Sequence, residues 1–166
     1  MELNYELNPK LMKIAAKQQF SYRHKARRGL QISLGIAALF LASYGLFTDS
    51  GQEPFVTVLL ILLGIYLLFY KEYYVWRTTR NIFKGIGEKI SITLQTQKKH
   101  LILKSSRNDN LETPWDNFLD YFFFDQGLLL YPQKDLFYFI PKNATITDGT
   151  WEDFVRLVES KVTRRV

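Results

Sequence analysis

Apolar and polar positions follow three different rhythms along the chain. Between Glu2 and Leu7 they alternate, with Leu3, Tyr5 and Leu7 on one side, which predicts a strand. Asn8-Pro9 follows as a helix cap and a first-turn proline. Leu11, Met12, Ala15, Ala16 and Phe20 then recur at helical spacing. No breaker intervenes before Gly29, so this helix is expected to run straight into an unrelieved apolar stretch, Leu30–Phe47. A second stretch, Phe55–Tyr70, is set off by the turn sequence Thr48-Asp49-Ser50-Gly51-Gln52-Glu53-Pro54. Residues 71–84 are expected to prolong the second helix, which stops near Gly85 and Gly87.

From Glu88 the period returns to two. Lys89–Gln95 reads as a strand with Ile90, Ile92 and Leu94 inward, 96–99 as a turn and His100–Lys104 as the return strand. After the polar stretch Ser105–Asn110, a short strand at Leu111–Thr113 leads to Pro114-Trp115. A strand starting at Asn117 or Phe118 runs to Phe124, Asp125-Gln126-Gly127 turns it, and Leu128–Tyr131 returns. Leu136–Ile140 is the last predicted strand, stopped by Pro141. Thr150 and Asp153 have the spacing of a capping box. They open a helix whose apolar stripe is Trp151, Phe154, Leu157, Val158 and Val162.

The first strand is separated from the others by both apolar stretches. Its best home is the same sheet, where its edge groups find partners. The expected fold is therefore α+β: a helix hairpin inserted after the first strand of a sheet of six or seven strands, closed by a C-terminal helix. The divisions are an N-terminal strand (1–8), a basic stem helix (9–29), the hairpin (30–70, with helices 30–47 and 55–70), a second stem (71–87) and the main β domain (88–166).

Length and charge turn the hairpin into a membrane prediction. Leu30–Phe47 has 18 residues and no charge. As a helix it would be about 27 Å long, against about 30 Å of hydrocarbon in a bilayer. Tyr73, Tyr74 and Trp76 supply interfacial aromatics beyond the second stretch, and Lys71 can snorkel. The net charge of +6 is unevenly spread: residues 1–28 carry +5, 29–70 carry −2, 71–90 carry +3 and 91–166 carry zero. Arg23, Lys25, Arg27 and Arg28 precede the hairpin, and Lys71, Arg77, Arg80 and Lys84 follow it. These orienting charges predict a multi-pass chain with both termini cytoplasmic and the acidic connector outside. A nucleic-acid binder would carry its basic excess on the folded domain, which here is neutral.

No charged residue interrupts either apolar stretch, which speaks against transport by this chain alone. Small residues allow close helix approach: Ser33 and Ala37 share a face with Leu41, Ala38 lies above Ala42, and Gly64 opens the second helix. That favours packing of the hairpin on itself, with self-association as the alternative.

Catalytic constellations are missing from the sequence. It has no cysteine, only His24 and His100 as histidines, and no phosphate loop, dinucleotide fingerprint, zinc-protease motif or nucleophile elbow. Asp116, Asp120 and Asp125 read as solvated acids at turns and strand ends, and His100 as a polar residue beside a turn. No enzyme activity, cofactor or metal is expected. The aromatic surplus says more. Tyr121-Phe122-Phe123-Phe124 and Phe137-Tyr138-Phe139 place large apolar groups on both faces of two strands. A sheet with one solvated face would alternate, so the second face must be covered, by the terminal helix, by the stems or by another protein. Tyr121, Phe123, Phe137 and Phe139 are the candidate partner-binding residues, aromatics being favoured interface anchors.

Pro114-Trp115-Asp116, Tyr121–Phe124 and above all Phe137-Tyr138-Phe139-Ile140-Pro141-Lys142, followed by the helix Trp151–Val162, resemble the YcxB-like family of bacterial membrane proteins. The resemblance covers the whole chain and implies a two-span hairpin in the bacterial inner membrane. It also implies a C-terminal domain akin to pleckstrin-homology domains, and no catalytic residues. Such domains hold anionic head groups with basic residues in an early turn, where Lys98, Lys99 and His100 stand here. The expected function is non-enzymatic: binding of a protein partner at the membrane, as an immunity protein against a membrane-acting toxin or as a regulator of a membrane enzyme. Anionic-lipid sensing and a role as a subunit of an oligomeric channel are the alternatives.

Overall fold

A computed structural model describes residues 1–47, 54–84, 89–106, 110–134 and 136–163. The alternating opening segment forms β1 (Glu2–Leu7), as its period requires. Asn8 then caps α1 (Pro9–Arg23), its side-chain oxygen accepting from the Leu11 N–H at 2.9 Å. Two long apolar helices follow, α2 (Lys25–Phe47) and α3 (Pro54–Phe83), each long and apolar enough to cross a membrane. The expected single helix from Pro9 into the first apolar stretch is broken at His24. The break is local: His24 N–H still reaches the Phe20 carbonyl (3.0 Å) and Arg28 N–H the His24 carbonyl (2.8 Å). The connector 48–53 and the stop near Gly85 and Gly87 lie outside the described residues.

The remaining strands are β2 (Ile90–Thr96), β3 (His100–Ser105), β4 (Asn110–Pro114), β5 (Asp120–Phe124), β6 (Gly127–Tyr131), β7 (Tyr138–Pro141) and β8 (Thr145–Thr147). A single turn of 3₁₀ helix, Trp115–Asn117, joins β4 to β5 where strand was expected to begin. The chain ends in α4 (Trp151–Lys161). The strands form two antiparallel sheets, β4-β3-β2-β1-β8 and β5-β6-β7. The count exceeds the predicted six or seven because of β8, a three-residue strand too short and polar to announce itself.

The chain separates into two compact units, Met1–Ala15 with Ile82–Val166, and Ala16–Asn81. In the first, β1 lies between β2 and β8. Leu3, Tyr5 and Leu7 stand opposite Leu94, Ile92 and Ile90, so the two alternations merge into one buried face. On the other face the partners are polar. Gln95 donates to Glu2 (2.8 Å), Thr93 to Asn4 (2.6 Å), and Lys89 pairs with Glu6 (2.8 Å). In the second sheet Leu128, Leu129 and Leu130 of the middle strand are all fully buried, so both faces of β6 are covered, whereas Tyr121–Phe124 of β5, where the aromatic pattern predicted such cover, are only half-buried. Gly127 is obligatory at the turn into it. Its φ is +153°, and a Cβ there would run into the Ile140 carbonyl oxygen. The apolar stripe of α4 is seated as predicted, with Phe154 and Val158 fully buried, and its capping box is complete.

In the second unit, α2 and α3 pack antiparallel through small residues. Gly35 meets Gly64 and Leu68, while Leu39 meets Gly64. Gly35, Ala38 and Ala42 form the buried seam of α2, and Thr57 and Gly64 lie buried on α3. The alternative Ser33/Ala37/Leu41 face is exposed, Leu41 at 54%. Gly35, which removes the last obstacle to backbone contact, decides between the two faces. The C-terminal half of α1 joins this pair, with Phe20 packed against Tyr70 and Tyr74 and Gln19 accepting from the Tyr74 hydroxyl (2.8 Å).

Phe154→Ala should cost about 3–5 kcal/mol, the range for deleting a fully buried ring, read as a lower denaturant midpoint of the full chain in mild detergent. Hydrogen bonds from Thr150 hold the Asp153 carboxyl below its ordinary pKa of 3.8. The stabilisation it lends α4 should therefore be complete above about pH 4 and fade as pH falls through the lowered value. Loss of protection at the Thr150 and Asp153 amides as pH falls, with each rate taken relative to the intrinsic exchange rate at that pH, checks this.

Candidate functional site

One face of the five-stranded sheet continues beyond its own core. Tyr5 and Leu7 of β1, Ile90 and Ile92 of β2 and Leu103 of β3 carry it toward β4. Across from them lies the segment Leu136–Phe139, which leads into β7. Met12 of α1 and Ile82 complete the walls of an open groove of about 420 Å³. Its lining is overwhelmingly apolar, and two of its residues, Leu111 of β4 and Leu136, remain 44% and 45% exposed. Among the described residues of this unit, those two are the large apolar side chains most exposed to water. A buried hydrogen bond fixes the floor: the Tyr5 hydroxyl donates to the Phe139 carbonyl at 3.0 Å. Burial raises the Tyr5 pKa, so the phenol keeps its proton and the bond persists at any working pH.

Two strand edges border the groove. Among the described residues β4 pairs only with β3, and β7 only with β6, so each lies at an edge of its own sheet. Near one end the Thr113 and Tyr138 hydroxyls approach to 3.5 Å and tie the two borders together. Apolar lining beside an available strand edge can seat an extended segment, whose backbone pairs with the edge while alternate side chains enter the groove.

The candidates from sequence are distributed unevenly around this feature. Phe137 lines the groove at intermediate exposure. Phe139 does so from below: it is only 4% exposed, stacked on Phe124, and acts as floor rather than as a protruding anchor. Tyr121 and Phe123 are half-buried on edge strand β5 and contact one another edge-on, apart from the groove. Trp151 and Val155 of α4 share a shallow recess with Phe123 and Phe124, so part of the cover over these rings is intramolecular. Sequence reasoning did not single out Leu111, a lone leucine in polar surroundings, or Leu136, which it read as the first residue of a strand. Only their placement beside Leu103 and Phe137 gives them meaning.

Lys98 and Lys99 occupy the exposed tip of the β2–β3 turn, held from behind by Trp115, whose ring N–H donates to the Gln97 carbonyl (3.0 Å). His100 is turned to a different use, with Nδ1 lying 3.2 Å from the Glu112 carboxylate on β4. That acid beside the tip opposes an anionic ligand. Asp120, expected as a solvated acid, is 4% exposed and accepts the Tyr121 N–H at 2.8 Å; it caps the start of β5 from inside. Asp116 and Asp125 are exposed. Among the described residues no three His, Asp or Glu side chains cluster closely enough to hold a metal. Of the orienting charges, Arg80 lies over the Trp76 ring at 5.0 Å and Arg23 over Tyr22 at 5.8 Å. Lys25, Arg27, Arg28 and Arg77 are exposed, and Lys71 is half-buried.

No family model, curated protein or solved structure matches the chain. The groove's chemistry therefore carries the functional argument.

Tyr5→Phe keeps the ring in place and removes its bond to the Phe139 carbonyl. It should cost about 1 kcal/mol, the net worth of one such hydrogen bond, with an unchanged far-ultraviolet spectrum. Denaturant unfolding of the full chain in mild detergent measures it.

Proposed function

We propose that this protein is a non-enzymatic, multi-pass inner-membrane protein of the YcxB-like kind, whose cytoplasmic β domain, similar to pleckstrin-homology domains, captures an extended apolar segment of a protein partner. The apolar groove beside two available strand edges is the observation that carries this reading. Membrane insertion is supported by the exposure of the long helices. Phe40, Phe47 and Phe55 are 71%, 89% and 68% exposed. A soluble protein rarely leaves contiguous apolar surface on that scale in water. The basic residues at the inner ends of both helices support cytoplasmic termini. The five- and three-stranded sheets with a closing helix support the domain assignment.

Recognition at the membrane suits a protein that intercepts another membrane-bound polypeptide. Neutralising a membrane-acting toxin and restraining a membrane enzyme are two uses of the same capture. The Glu112 carboxylate beside His100 makes the β2–β3 tip a poorer candidate for the principal binding site.

A photo-crosslinking amino acid at position 111 or 136 of the full-length protein, irradiated in its native membrane, should give a discrete adduct with one polypeptide. The same probe at Glu159, exposed on α4, should not. Leu111→Asp or Leu136→Asp, harmless to folding at half-exposed positions, should abolish the adduct formed from the other position. Adducts confined to lipid, or equal labelling from Glu159, would refute capture at the groove. Release of the protein by alkaline extraction would instead remove the membrane assignment.

A further inference from the structure

The seam between α2 and α3 repeats every seven residues. Gly35 meets Gly64 backbone to backbone; seven residues on along α2 and seven back along α3, Ala42 and Thr57 are both buried. The same step in the opposite direction reaches Arg28 and Lys71. Two cations thus occupy the level where the seam would otherwise continue with small residues. The helices do not close over them. Arg28, Lys71, Gln31 and Glu72 line a cavity of about 60 Å³ together with Phe20 and the apolar side chains Ile32, Leu67 and Leu68. Lys71 donates to the Ser21 hydroxyl at 3.4 Å, and Lys17 adds its field to that of Arg28.

We infer that this cavity holds the phosphate group of an anionic lipid. A single water needs roughly 10–15 Å³ of such space, so about 60 Å³ admits a group of four or five heavy atoms, the size of a phosphate. Arg28 and Lys71 supply positive charge, Gln31 supplies a neutral hydrogen-bonding group, and Ser21 holds the Lys71 ammonium in place. Glu72 is the one acid on the lining and is exposed. Without a ligand, the like charges repel across a seam that Gly35 and Gly64 hold tight. An anion between them converts that repulsion into two attractions. Ile32, Leu67 and Leu68 offer the start of an acyl chain an apolar path, which a free phosphate cannot use. Basic pockets between helices at the cytoplasmic membrane surface bind such head groups. The assignment rests on α2 and α3 spanning the membrane, which would place Arg28 and Lys71 at head-group depth.

The test is native mass spectrometry of the full chain in detergent, titrated with phosphatidylglycerol, phosphatidylcholine or inorganic phosphate. Phosphatidylglycerol should be retained in preference to phosphatidylcholine. Arg28→Gln with Lys71→Gln should weaken it at least about tenfold. Lys13→Gln with Lys84→Gln, an equal loss of charge elsewhere, should change it less than about twofold. Equal loss in both pairs would reduce the effect to diffuse electrostatics and overturn the site. Displacement of the lipid by inorganic phosphate at matched concentration would reassign the cavity to a soluble phosphate and overturn the lipid. Alkaline extraction of the wild-type protein, run in parallel, tests the membrane reading separately, because the inorganic phosphate arm does not depend on it.

Discussion

Everything in the β domain depends on β1 finding its place between β2 and β8. It must do so across the whole of residues 8–89, which include both long apolar helices. Loop closure over such a distance costs little more than over a short loop, because the entropy grows only with the logarithm of length. The register is set by burial. A slip of one residue would turn Leu3, Tyr5 and Leu7 outward and bring Glu2, Asn4 and Glu6 into the core. The polar partners on the outer face, from Gln95 on Glu2 to Lys89 on Glu6, fit only the observed pairing.

The same pairing builds the groove. Tyr5 and Leu7 serve as core toward Ile92 and Ile90 and as wall toward the Leu136–Phe139 segment. The Tyr5 hydroxyl couples the larger sheet to the smaller one. A groove assembled this way rests directly on the core, while its rim at Leu111 and Leu136 remains open. The proposed capture of a partner would draw on that arrangement, since a preformed site loses less freedom on binding.

Elements with a local period were legible in the sequence. Leu3, Tyr5 and Leu7 gave β1 its bounds, Asn8-Pro9 began α1, Thr150 with Asp153 began α4, and Phe154 with Val158 named its inner face. Features that depend on distant partners were not legible. Thr145–Thr147 becomes a strand only because Asn4, Leu3 and Glu2 are there to pair with it. Gly35 looks no different from Ser33 until Gly64 stands opposite, and the Ser33 face then loses the seam. Phe139 has the composition of an anchor but the position of a floor. Asp120 resembles Asp116 and Asp125 on paper, yet it is buried at the first residue of β5. The groove draws its residues from five strands and two helices, so no window of sequence could contain it.

The position of β1 between β2 and β8 has a practical corollary for anyone wishing to handle the β domain in water. Cutting the chain after the second apolar helix would strip β1 from the larger sheet, leaving β2 with an open edge and β8 without its partner. Leu7 and Ile90 face each other at one end of the ladder, so a tight reverse turn could bridge them directly. Splicing the leading strand onto the rest therefore keeps the larger sheet whole, which simple truncation does not, although a direct Leu7–Ile90 turn would also remove Met12, Ala15 and Ile82 from the β unit.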